Sequence, residues 1–176
     1  MFRRSKKAYD APALYEYAVG ALGRKMRTVA ELKRLMRQRV GQQPDSEILI
    51  EAVVIKLKEQ KYLNDSQYAG LFASYRKENQ KFGRMRVITD LRAKGVHAEV
   101  IEKSVASAYA GTNEEKLARD FLARKRLRKP ANEKETARVF RALLRAGFSS
   151  KTIFKVLKKW DVDEETLGLL EAELEH

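Results

Sequence analysis

At 176 residues and 44% apolar content, the chain is long enough for one domain or an array of small ones, and too apolar to stay disordered. It has no cysteine, which removes disulfides, thiolate catalysis and cysteine zinc sites, and no stretch approaches the roughly 20 apolar residues that span a bilayer, so a cytoplasmic protein is expected. The 37 Lys and Arg against 24 Asp and Glu give +13, and seven acids with no Lys or Arg after Trp160 leave a body of +20, which favours nucleic acid phosphates or an acidic protein surface over a membrane.

Residues 1–11 read as a basic arm, Phe2-Arg3-Arg4-Ser5-Lys6-Lys7, without the apolar core of a signal peptide behind it. Repeat 1 spans 12–64. Asp10 and Pro12 start a helix whose Leu14, Tyr15, Ala18, Val19 and Leu22 recur at helical spacing. Thr28 and Glu31 form a capping box ahead of Leu32, Leu35 and Met36. A third helix follows Asp45, with Ile48, Leu49, Ala52, Val53, Val54 and Leu57 as its expected stripe.

Repeat 2, at 65–112, opens on Asn64 or Asp65 with Tyr68, Ala69, Leu71, Phe72 and Tyr75, breaks at Gly83, continues through Val87, Ile88 and Leu91 to Gly95, and ends with Val96, Val100, Ile101 and Val105. Repeat 3, at 113–160, starts at Asn113 with Leu117, Ala118, Phe121 and Leu122, and pauses at Pro130. Asn132 and Glu135 suggest another capping box, Val139, Phe140, Leu143 and Leu144 form the middle stripe, and Gly147 precedes Phe148, Ser149, Ile153, Val156 and Leu157. The shared Leu-x-x-x-Gly-apolar ending, Leu91 to Val96 and Leu143 to Phe148, is the strongest sign of repetition, because a left-handed glycine followed by an apolar residue closes a helix and starts the next. The expected fold is all-α: three tandem three-helix repeats in an elongated array with room for curvature. The acidic segment 161–176 reads as a short terminal helix with Leu167, Leu170 and Leu174, and Leu174-Glu175-His176 also fits a tag remnant.

Catalytic patterns are missing. The two histidines, His97 and His176, make no zinc motif, and the nine glycines are scattered at helix ends instead of forming a phosphate loop. Acidic pairs such as Glu133 and Glu135 sit at helix starts, where the dipole explains them. We therefore expect neither an enzyme nor a cofactor or metal. Tyr17, Tyr68, Phe121, Phe140 and Phe148 lie on apolar stripes and are expected in the core, whereas Phe82, beside Gly83, Arg84 and Arg86, is the best aromatic candidate for a contact.

Three cationic groups are the candidate binding residues: Arg76, Lys77, Lys81, Arg84 and Arg86 around the Gly83 break; Arg124, Lys125, Arg126, Arg128 and Lys129; and Arg138, Arg141 and Arg145, which form a stripe on the helix side away from Phe140. A solvated helix face is the ordinary explanation of any one of them, and few acids offset the set.

Tyr62-Leu63-Asn64-Asp65 with Tyr68-Ala69, Gly83-x-x-Arg86-Val87, Leu91-x-x-Lys94-Gly95-Val96 and Gly147-Phe148-Ser149 occur in an order that resembles the RecX family of recombination regulators, over Leu14 to Leu157. Arg84, Asn64 and Val96 stand where the family commonly has proline, an acid and isoleucine. The resemblance implies three three-helix modules, no catalysis, and binding to RecA recombinase filaments on DNA that suppresses ATP hydrolysis and strand exchange, in recombination, repair and the SOS response. It also implies single- or double-stranded DNA as a further partner, and a monomer is expected. The alternatives are a general DNA-binding protein whose repeats act as helix-turn-helix readers, suggested by the Gly147-Phe148-Ser149 turn, and a helical scaffold for an acidic protein.

Overall fold

The computed structural model describes residues 9–172, so most of the basic arm and Glu173, Leu174, Glu175 and His176 lie outside the described residues. All regular structure described is helical. The elements are α1 (Ala11–Arg24), α2 (Val29–Val40), α3 (Ser46–Glu59), α4 (Asp65–Gln80), α5 (Arg84–Ala93), α6 (Ala98–Tyr109), α7 (Glu114–Arg124), α8 (Glu133–Arg145), α9 (Ser150–Lys158) and α10 (Glu164–Ala172). They pack as α1–α3, α4–α6 and α7–α9, the three repeats read from the sequence, with α10 laid against α8.

Helix starts follow the polar residues that can accept orphan amides. Asp10, Asn64, Asn113 and Ser149 each accept a backbone N–H from the third residue on. The Thr28–Glu31 box is complete, with both reciprocal bonds formed. At Asn132 the box is altered: Asn132 accepts from the Glu135 N–H, but the Glu135 carboxylate takes the Ala131 N–H at 2.8 Å.

Two hydrophobic cores result. Leu14, Leu32, Met36, Ile50 and Leu57 are among those that fill the first module, whereas residues of the second and third share one continuous cluster running from Tyr68 through Val87, Phe121, Phe140 and Phe148 to Leu157. Leu167 and Leu170 of α10 belong to that second cluster, so the acidic segment is packed onto the third module.

Several expected stripe positions prove exposed. Ile48 is 71% exposed and Leu71 55%, and Leu144 is also open to solvent. On α3 the buried set is Ile50, Val53, Val54 and Leu57, a phase that turns Ile48 and Ala52 outward, because one short three-helix module covers only one side of its third helix. Tyr17 is half-buried at the edge of the first core, with the Arg39 guanidinium 5.2 Å from its ring centre.

The modules join by one device used twice. The N-terminus of α2 rests on the glycine turn that ends α5: the buried Thr28 hydroxyl donates to the Lys94 carbonyl at 2.7 Å, and Gly95 leaves room for Ala30, which a Cβ there would meet at under 3.0 Å. The N-terminus of α5 rests likewise on the turn that ends α8, where the Gly83 N–H donates to the Ala146 carbonyl at 2.8 Å and the Met85 N–H to the Gly147 carbonyl at 3.1 Å. In both joints the residue capping one middle helix reaches the carbonyl just before the glycine of the next module. The positive end of one helix dipole therefore faces the negative end of the other. Both turns also have the same internal bonding, Val96 N–H to Leu91 and Phe148 N–H to Leu143.

Candidate functional site

The second joint builds the site. Gly83 and Gly147 are buried, and a Cβ on either would lie under 3.0 Å from the backbone of the opposing segment. Arg84 occupies the first position of α5, which would suit proline equally, because an amide there has no intrahelical partner. This contact brings Phe82 against Phe121, with ring centroids 6.1 Å apart, and Phe121 against Phe148 at 6.1 Å.

Above these rings lies an open cleft of about 400 Å³, lined by Phe82, Arg86, Phe121, Lys125, Leu127, Arg138, Ala142, Arg145 and Ala146. Its walls carry four cations from two modules and no acid. Arg138 and Arg145 come from one face of α8, two turns apart, with Ala142 between them. Lys125 caps the end of α7, and Arg86 reaches over from α5.

Arg86 is held in place. Its Nε donates to Asp90 at 3.0 Å, Nη1 donates to the Arg145 carbonyl at 3.4 Å, and the guanidinium lies 5.6 Å from the Phe82 ring centre. Asp90 also faces Arg76, with Nη2 at 3.3 Å from Oδ2, although that oxygen has no well-aligned hydrogen bond. By contrast, no carboxylate partner is recorded among the described residues for Lys125, Arg138 or Arg145.

The candidate cations thus separate by role. Arg76 is half-buried, stacked on Phe72 and Phe82 and paired with Asp90; Lys77 donates to the Ala108 carbonyl at 2.5 Å and sits over Tyr109. Both brace the second module. Burial pushes the Tyr109 phenol well above its ordinary value, and its hydroxyl donates to the Phe82 carbonyl at 2.8 Å, fixing the chain that enters the cleft. Lys81 is half-buried at the left-handed end of α4. Arg84, Arg124, Arg126 and Arg128 are exposed and do not line the cleft, Lys129 pairs with Asp161 at 2.7 Å, and Arg141 also lies outside the lining and makes an interaction of its own. Arg86, Lys125, Arg138 and Arg145 are the ones brought together. Leu127, Ala142 and Ala146 are not evident from the sequence as site residues; Ala142 and Ala146 follow the helical register of Arg138 and Arg145, whereas Leu127 lies past the end of α7, beyond the left-handed Arg126.

Among the described residues no His, Cys, Asp or Glu group could hold a metal ion, and no helix is long and apolar enough to cross a membrane.

A family model described as RecX, second three-helix domain, matches residues 64–105. A regulatory protein RecX of Myxococcus xanthus is 33% identical over 153 residues, covering 80% of this chain and 81% of its own. One of Chromobacterium violaceum is 31% identical, covering 85% and 92%. The crystal structure of RecX from Lactobacillus salivarius superposes with a TM-score of 0.68 at 20% identity, covering 86% of this chain and 97% of that one; a second RecX crystal structure gives 0.70.

Proposed function

The chain belongs to the RecX family of regulatory proteins, and from that premise we propose that it acts on a RecA-type recombinase, lying along the filament on DNA and suppressing ATP hydrolysis and strand exchange. The observation that carries this reading is the convergence of Arg86, Lys125, Arg138 and Arg145, from two modules, in one cleft whose lining holds no acid. An array of modules presents such a surface alongside the exposed Arg84, Arg124, Arg126 and Arg128, and many modest contacts to a repeating filament add through avidity. The charge balance supports an additional hold on DNA phosphates.

The reading of the repeats as independent helix-turn-helix readers is less well supported. The Gly147 turn is covered by the start of α5, on α9 Lys155 is paired with Glu115 and Lys158 with Glu164, and Lys159, which caps its end, is paired with Glu115.

The test is the DNA-dependent ATPase of RecA titrated with the full chain. Half-inhibition by Arg138→Glu, Arg145→Glu double variants should need roughly tenfold more protein, with helicity unchanged. No inhibition by the natural chain over a wide concentration range rejects the function, and inhibition undiminished in the variant rejects the surface.

A further inference from the structure

The cleft has a property that filament binding through charge does not require: its floor is apolar. Phe82 and Leu127, both half-buried, line it together with the edge of the largely buried Phe121, and Ala142, half-buried midway between Arg138 and Arg145, keeps the α8 side low. A lone carboxylate or bare phosphate would neutralise the rim and leave that floor uncovered. A base in a duplex has its faces stacked and its edge paired, so it cannot enter. An unpaired nucleotide offers both parts at once, a flat ring for the floor and phosphates on either side for the rim.

The dimensions agree. About 400 Å³ is the scale of a site for one small planar group with its substituents, and Arg138 and Arg145 are about 10 Å apart along the helix axis, so their side chains can meet phosphates on either side of one nucleotide. Arg86 is already fixed by Asp90 and by its stacking on Phe82, so one wall is set before any ligand arrives, while Lys125, Arg138 and Arg145 are available for phosphate oxygens.

We propose that the cleft between the second and third modules is a binding site for one unpaired nucleotide of a single-stranded nucleic acid, the base entering against the Arg86 guanidinium, Leu127 and the exposed part of Phe82, and the flanking phosphates meeting Lys125, Arg138 and Arg145. The proposal rests on the assignment of this cleft as the contact surface, but it concerns nucleic acid alone and is tested without the recombinase.

The experiment is fluorescence anisotropy of the full chain with three labelled probes of equal length and matched salt: oligothymidylate, the same strand with every base removed, and a duplex. Oligothymidylate is expected to bind roughly tenfold more tightly than the abasic strand, the size of one base–ring stacking contact. Ala142→Trp, which fills the cleft without changing charge, should bring oligothymidylate down to the abasic level and leave abasic binding within about twofold; Ala142→Leu is the smaller plug should the tryptophan unfold the module. Arg138→Glu with Arg145→Glu should weaken all three probes, whereas Lys151→Glu, exposed on α9 outside the cleft, should preserve the preference. Equal affinity of the natural chain for oligothymidylate and the abasic strand overturns the proposal, as does a preference that survives in a folded, plugged variant. A chain that inhibits the RecA ATPase but shows no base preference loses the nucleotide site and keeps its regulatory role. The opposite pattern rejects the role and keeps the site.

Discussion

Glu31 closes the start of α2 with one carboxylate oxygen and, with the other, holds Lys94 of the next module at 2.8 Å. Burial would raise its pKa, but the Lys94 ammonium and the Thr28 N–H outweigh that and hold it below the usual carboxylate range; for Lys94, burial is likewise outweighed, chiefly by Glu31, and its value is raised. The depressed Glu31 contributes stability that is present above its unfolded value near 4.5 and lost as pH falls through the folded one. The raised Lys94 contributes below 10.5 and loses it as pH rises through its higher folded value. Glu31→Gln should therefore cost about 1 kcal/mol in urea unfolding at pH 7, and the gap from the natural chain should narrow progressively on acidification below 4.5. A gap unchanged by acidification would mean the ion pair does not tie the modules. The capping box was legible in Thr28-x-x-Glu31, since its partners are three residues apart. The Lys94 contact was not, because nothing local in the chain announces a partner 63 residues away.

Middle helices α2, α5 and α8 owe their joints to glycines, and there the chain pattern was informative. The Leu-x-x-x-Gly-apolar endings at Gly95 and Gly147 were read as turns, and turns they are; what the pattern did not reveal is that each turn is also the seat of a neighbouring helix. That second role needs closeness as well as a positive φ, and closeness is not encoded in a motif. Gly147→Ala has both problems, φ +89 and a Cβ under 3.0 Å from Arg86, so it should lose about 3 kcal/mol in urea unfolding and weaken cleft binding together. Gly20→Ala, mid-helix in α1 with nothing within 4 Å, should gain about 0.5–1 kcal/mol and leave binding alone. If both substitutions behaved alike, helix propensity and not the joint would be deciding stability.

Across the whole molecule, three repeats in sequence become two cores in space. The apolar stripes identified the modules because each helix mostly buries one face, yet the fusion of the second and third came from Phe82, Phe121 and Phe148 meeting at the joint, and only Phe82 had been set aside as a residue with a use beyond packing. The cationic runs were equally visible, although sequence could not separate braces such as Arg76 and Lys77 from rim residues such as Arg138, which depends on where Asp90 and Ala108 lie. Leu32→Ala, at a fully buried position of the first core, should cost about 2–5 kcal/mol. Hydrogen exchange should then quicken in α1–α3 and leave α4–α9 protected. Equal loss throughout would show that the two cores unfold as one.

The start of α2 sits on the turn that ends α5, and the start of α5 on the turn that ends α8; one step applied repeatedly in this way generates a screw. A screw lies evenly along another only when their leads match. The two glycine turns thus set a pitch, and a change that re-aims either joint would alter which helical track the protein can follow, even with every cation on its surface untouched.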